Sequence, residues 1–185
     1  FDKRKSKVIY HGRDERLYKP IPPDIAADFV RTQYGIGGKF VLYISNIARY
    51  KKQLEVVKAY HIIREMSAKV KQAASSFARA QHAVPVHRLV LAGIMVEPSY
   101  YREVLALADR LGIRDEVMYL GQIPQTHLPY LYSAASVFVF ASISENCPNI
   151  LIEAMTCGAP IVSSNLGPMP EICGNAALYF DPSEP

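Results

Sequence analysis

A sequence of 185 residues fits one domain and is long enough to bury a substantial core. Half of the residues are hydrophobic, 21% are charged and the mean hydropathy is +0.03, an ordinary balance for a soluble globular protein. A net charge of +4 allows anionic partners such as nucleotide phosphates or an anionic membrane surface, and it does not call for nucleic acid.

The three cysteines are Cys147, Cys157 and Cys173. An odd count without a CxxC motif argues against a disulfide framework or a zinc site and fits free thiols in a reducing cytoplasm. The five histidines share no metal-ligand spacing and read as structural or surface residues. No apolar run reaches the length of a membrane span, and no signal-peptide pattern is present. A chain that opens on Phe1 and stops on Pro185 is expected to be a piece of a longer protein.

In chain order, residues 1–38 read as an opening strand and a linker: a short strand over Lys7–Gly12, then a Pro-rich stretch, a helix over Asp24–Tyr34 and a closing Gly35-Ile36-Gly37-Gly38 turn. Strands and helices then alternate through residues 39–185. Strands are predicted at Phe40–Ile44, Leu89–Gly93, Val117–Gly121, Ser136–Phe140, Ile161–Ser163 and Ala177–Phe180. Helices are predicted at Leu54–Met66, Tyr100–Leu111, Leu128–Ala135, Ile150–Cys157 and Pro168–Cys173. Residues 67–86, rich in Ala, Gln, Ser and Lys, extend the first of these helices or form an insertion.

The strands are continuously apolar, as strands buried on both faces are. Alternation with helices then predicts an α/β, Rossmann-like, doubly wound parallel sheet. Such sheets bind ligands beyond the carboxyl ends of their strands, so the residues after each strand are the candidates.

Three strand-end loops stand out. Ser45–Gln53 gathers Arg49, Lys51 and Lys52 before a helix, where the macrodipole disfavours cations unless a polyanion such as diphosphate lies among them; the alternative is a solvated basic loop. Gly121-Gln122-Ile123 allows close approach of a ligand to the backbone, or is a plain turn. Ser142–Met155 carries Glu145 before a helix and Glu153 inside it. Pro148 suits the first helical position, and the amides of Asn149, Ile150 and Leu151 would point outward as an anion site. A carboxylate in so apolar a helix is costly unless paired or bound to a ligand such as a ribose hydroxyl; otherwise Glu153 faces solvent.

The stretch from Glu145 to Pro182 resembles the C-terminal domain of the family-four retaining glycosyltransferases, which have the two-domain GT-B architecture. The shared pattern is Glu145, seven residues, Glu153, then Ala154-Met155-Thr156-Cys157-Gly158-Ala159-Pro160-Ile161-Val162. It continues with Gly167–Ile172 and Ala176–Pro182. Leu120–Pro124, Leu131–Val139 and Ile9–Gly12 agree with it as well.

The resemblance implies roles. Glu153 would bind the donor ribose and Glu145 would lie beside the donor sugar. Lys51 would neutralise the diphosphate, and the amides of Asn149, Ile150 and Leu151 would hold sugar and phosphate. The backbone of Gly121 and Ile123 would pair with the base. At Ser45 and Asn46 the family commonly has a glycine–arginine pair, so Arg49 or Lys52 is the expected second cation. The implied activity is sugar transfer from a nucleoside diphosphate sugar to an acceptor hydroxyl with retention of configuration. It would need no metal and no cofactor. Residues 39–185 would be the donor domain, the N-terminal acceptor domain lying outside this chain, which alone would turn over little. Acceptors in the family are sugars, lipid-linked glycans or polysaccharides, compatible with a cytoplasmic protein peripheral to a membrane. The rival readings are a non-catalytic nucleotide-sugar-binding module and a sugar-nucleotide epimerase or phosphorylase on the same fold.

Overall fold

A computed structural model describes residue 7, residues 9–74 and residues 88–184, the side chains of residues 70–74 excepted. Six parallel strands form one sheet in the order β3-β2-β1-β4-β5-β6. They are β1 (Val41–Ile44), β2 (Leu89–Ala92), β3 (Val117–Tyr119), β4 (Val137–Phe140), β5 (Ile161–Ser164) and β6 (Ala177–Phe180). The helices are α1 (Pro23–Tyr34), α2 (Gln53–Ala74), α3 (Pro98–Arg110), α4 (Leu128–Ala134), α5 (Asn149–Thr156) and α6 (Met169–Cys173). This is the doubly wound arrangement that the apolar strands predicted.

The central strands are apolar because both faces are covered. Leu42, Leu89, Val90, Leu91, Ala92, Phe138 and Phe140 are fully buried, and each large one contributes about 1.5–3 kcal/mol by leaving water. Strand order reverses between β1 and β4. Right-handed crossovers running in opposite directions must lie on opposite faces. Accordingly α2 packs on α3, while α4 contacts both α1 and α5, and α5 contacts α6. The reversal opens a crevice above the carboxyl ends of β1 and β4, where this type of sheet takes its ligands.

One expectation is corrected. No strand forms over Ile9–Gly12. The segment runs irregularly outside the sheet, and its side chains reach instead to α5 and α6, with Tyr10 meeting Glu171 and His11 meeting Asn149. Residues 67–74 continue α2 as a helix of 22 residues, the first of the two readings of that stretch. The rest of that stretch, 75–86, lies outside the described residues.

Candidate donor-binding site

The loop after β1 and the loop after β4 rise from neighbouring strands, and this brings together residues 94 positions apart in sequence. The Lys51 ammonium pairs with the Glu145 carboxylate. Lys51 sits on a single 3-10 turn, Arg49–Lys51, and is nearly buried. Its ammonium lies 4.8 Å from the centroid of the Tyr50 ring and 5.5 Å from that of Phe140, so aromatic faces and one carboxylate replace its water. The backbone fastens the two loops to each other: the Ile143 N–H donates to the Tyr50 carbonyl at 3.0 Å. Buried Gln53 donates to Ser45 Oγ at 3.0 Å and to the Asn46 carbonyl at 2.8 Å.

Glu153 is 7% exposed on the inner side of α5, so it does not face solvent. The Tyr132 hydroxyl donates to one carboxylate oxygen at 3.1 Å, and Arg13 Nη1 stands 3.5 Å from the other. Burial lifts the Glu153 carboxyl above its ordinary range. Arg13 is the largest influence holding it down, ahead of the tyrosines. Tyr18 lies in the same cluster with its phenol pushed up to about 12, first by burial and then by the Glu153 charge.

The remaining predicted residues divide. Asn149 opens α5, and its carbonyl accepts from Arg13 Nη2 at 2.9 Å. Ile150 follows it, half-buried. The Leu151 amide is no free donor, because it already donates to the Pro148 carbonyl at 3.0 Å. Pro148 precedes the helix as its extended cap and does not occupy the first turn. Gly121 has a φ of +71°, and its carbonyl accepts from Gly93 at 2.8 Å, closing the turn beside buried Ile123.

Arg49 does not join Lys51. Its guanidinium pairs with Glu103 and with Glu97 on the α3 side, and stacks over Tyr100. Lys52, just ahead of α2, pairs with Glu55 in the first turn of that helix at 3.4 Å. Both cations pair with acids in or beside helices α2 and α3, so the structure does not bring either of them to Lys51. The residues that sequence reasoning passed over are His11 and Arg13. They lie in a segment read as a strand and linker, where no periodicity points to a site. The His11 ring meets Asn149 Oδ1 at 2.9 Å.

Residues 27–185 match the sequence profile of glycosyl transferases group 1. The chain belongs to that family. Over 68 residues it is 46% identical to the O-antigen chain mannosyltransferase B of Escherichia coli, covering 37% of this chain and 18% of that protein. Over 169 residues it is 28% identical to the N-acetyl-alpha-D-glucosaminyl L-malate synthase of Bacillus anthracis, covering 90% of this chain and 37% of that protein. The chain therefore spans well under half the length of these curated relatives. Anabaena Alr3699/HepE, solved in complex with UDP-glucose, superposes with a TM-score of 0.74 at 25% identity, over 96% of this chain and 44% of that one. A glycosyltransferase from Rickettsia africae gives a TM-score of 0.77 at 17% identity, over 99% and 45%, a likeness of fold. None of the described helices is long and apolar enough to cross a membrane.

Proposed function

We propose that this group 1 glycosyltransferase chain is a donor domain, binding a nucleoside diphosphate sugar whose sugar passes to an acceptor hydroxyl with retention of configuration. The observation that carries the reading is the arrangement at the carboxyl ends of β1 and β4. It holds a nearly buried lysine beside Glu145, and the first turn of α5 leads from there to the buried carboxylate of Glu153. In this reading Lys51 and the amides at the start of α5 stabilise charge on the leaving diphosphate without a divalent metal. Glu153 accepts the ribose hydroxyls, Glu145 positions the donor sugar, and the turn at Gly121 and Ile123 faces the base. The UDP-glucose bound by the Anabaena structure supports a nucleotide sugar as ligand. The O-antigen chain mannosyltransferase supports a polysaccharide acceptor, reached by a second domain outside this chain.

Thermal unfolding against UDP, GDP, ADP and their sugars, in the presence of a chelator, tests the reading. A ligand that binds only the folded chain raises its melting temperature. A selective rise that is lost in Glu153→Ala supports the donor site and names the base. No rise with any nucleotide overturns it.

A further inference from the structure

We propose that Arg13 is a positioning residue of the donor site: by bridging the Glu153 carboxylate and the first residue of α5, it sets the ribose-binding acid in place and ties it to the phosphate-binding helix end. The proposal rests on the donor-site reading above.

Four observations carry it. The Arg13 guanidinium makes two contacts with α5 one turn apart, donating to the Asn149 carbonyl at 2.9 Å and standing 3.5 Å from Glu153 Oε1. It is held there from behind, 5.4 Å from the centroid of the Tyr18 ring, and its side chain is only 15% exposed. One polar atom of the cluster, Arg13 Nε, is buried without a hydrogen-bond partner. A buried donor left unpaired costs about 1–3 kcal/mol, so the guanidinium is held in this place by its contacts to α5 at a cost of its own. Finally, Arg13 lies ahead of residues 27–185, the part matched by the family profile. This device therefore belongs to the segment leading into the domain, outside the part matched by the profile.

The chemistry follows from the geometry. A carboxylate accepts two ribose hydroxyls only while it is ionised, and burial works against that form. The groups facing Glu153 are Arg13 and Tyr18 from the leading segment, Tyr132 from α4 and Cys157 from its own helix. Arg13 is the one cation among them. Planar and permanently charged, it also fixes the direction of the carboxylate, which a point charge does less well.

The test is calorimetric titration of the 185-residue chain with UDP and with GDP, across about pH 5.5 to 8, in wild type, Arg13→Met, Arg13→Lys, Glu153→Ala and Arg13→Met/Glu153→Gln. Circular dichroism and melting temperature report whether each variant is folded. Wild type is expected to bind one nucleotide with little pH dependence. Arg13→Met should bind about tenfold more weakly at neutral pH, a loss of one strong polar contact, and weaken further as the pH falls and Glu153 takes up a proton. Arg13→Lys should recover most of the affinity and the flat profile, and it decides the matter if Arg13→Met does not fold. The part of the slope that vanishes in the double variant belongs to Glu153, and a slope as steep in the double variant as in Arg13→Met overturns the proposal. Wild-type affinity and a flat profile in Arg13→Met, with binding lost in Glu153→Ala, would overturn the proposal and leave the donor-site reading standing. A wild-type chain that binds neither nucleotide would overturn the reading and the proposal with it.

Discussion

The Lys51 ammonium meets the Glu145 carboxylate across the crevice between the β1 and β4 loops, each nearly withdrawn from water. Two consequences can be separated by experiment. For stability, removing either partner leaves the other buried and unpaired, so Lys51→Met and Glu145→Gln each lower the unfolding free energy by about 1–3 kcal/mol. The double variant loses less than the sum, with a coupling of about 1–2 kcal/mol in a urea-denaturation cycle. For binding, the two variants diverge. Lys51→Met removes the cation and weakens nucleoside diphosphate binding about tenfold or more. Glu145→Gln frees the same cation from its internal anion, so the diphosphate binds at least as tightly while turnover of the intact enzyme falls. Parallel losses of affinity in both variants would mean that the pair acts only as a structural bridge.

Glu153 gives a pH prediction of unusual sign. Burial lifts its carboxyl above the ordinary 4.5, Arg13 notwithstanding. The native chain therefore holds this proton more tightly than the unfolded chain does. From 4.5 upward to the raised native value the folded state binds more protons, so this group's contribution to stability falls as pH rises and is level above that window. Glu153→Gln lacks the effect. Urea titrations at a series of pH values should show wild type losing ground to Glu153→Gln as the pH climbs from the ordinary carboxyl range toward neutrality. A gain for wild type would mean that Arg13 and the tyrosines outweigh burial. The predicted sign is that of a carboxylate kept at some cost to folding, as a ligand-binding group is.

Much of this was legible in the sequence, for identifiable reasons. Val41–Ile44 and Leu89–Ala92 are apolar because both sheet faces are covered, so the strands and their parallel arrangement could be read directly. Lys51 and Glu153 were legible because each breaks a local rule, a cation at a helix start and an acid in an apolar helix, whereas Glu145 was legible only through the family pattern that spaces it from Glu153. What the sequence hid was partnership. Arg49 and Lys52 look equivalent to Lys51 in the string, and only tertiary structure turns one toward Glu97 and Glu103 and the other toward Glu55. Arg13 was illegible because nothing periodic marks a loop residue that reaches 136 positions ahead to Asn149.

Lys52 offers a test of local strain. It is the one non-glycine among the described residues with a positive φ, at 61°, and it closes the 3-10 turn that carries Lys51. A side chain in the left-handed region costs about 1–2 kcal/mol. Glycine removes that strain but loosens the unfolded chain by about 0.4–1 kcal/mol. Lys52→Gly should therefore be neutral to mildly stabilising by thermal denaturation, and nucleotide affinity should hold, since the Lys52 ammonium is already paired with Glu55. A marked loss of affinity would return Lys52 to the site.

Gly93 is the opposite case, a position where only glycine fits. It ends β2 with a φ of +136°, and its amide donates to the Gly121 carbonyl at 2.8 Å. A Cβ placed on it would stand 2.0 Å from the Ser45 carbonyl oxygen and 3.2 Å from the Asn46 nitrogen. The clash is with backbone, which cannot swing aside as a flexible side chain can. The Ser45 amide is itself bonded to Ala92 at 2.8 Å, so the loop after β1 must move as a unit. Strained φ and displaced backbone together make Gly93→Ala cost on the order of 3 kcal/mol, or about 6–12 °C in melting temperature for a chain of this size. Because that same loop carries Lys51, nucleotide affinity should fall as well, whereas Gly112→Ala, also at positive φ but with open space around it, should cost less stability and leave binding intact. Equal losses in the two variants would show that backbone conformation alone sets the penalty and that the close approach of Gly93 to Ser45 does not shape the crevice.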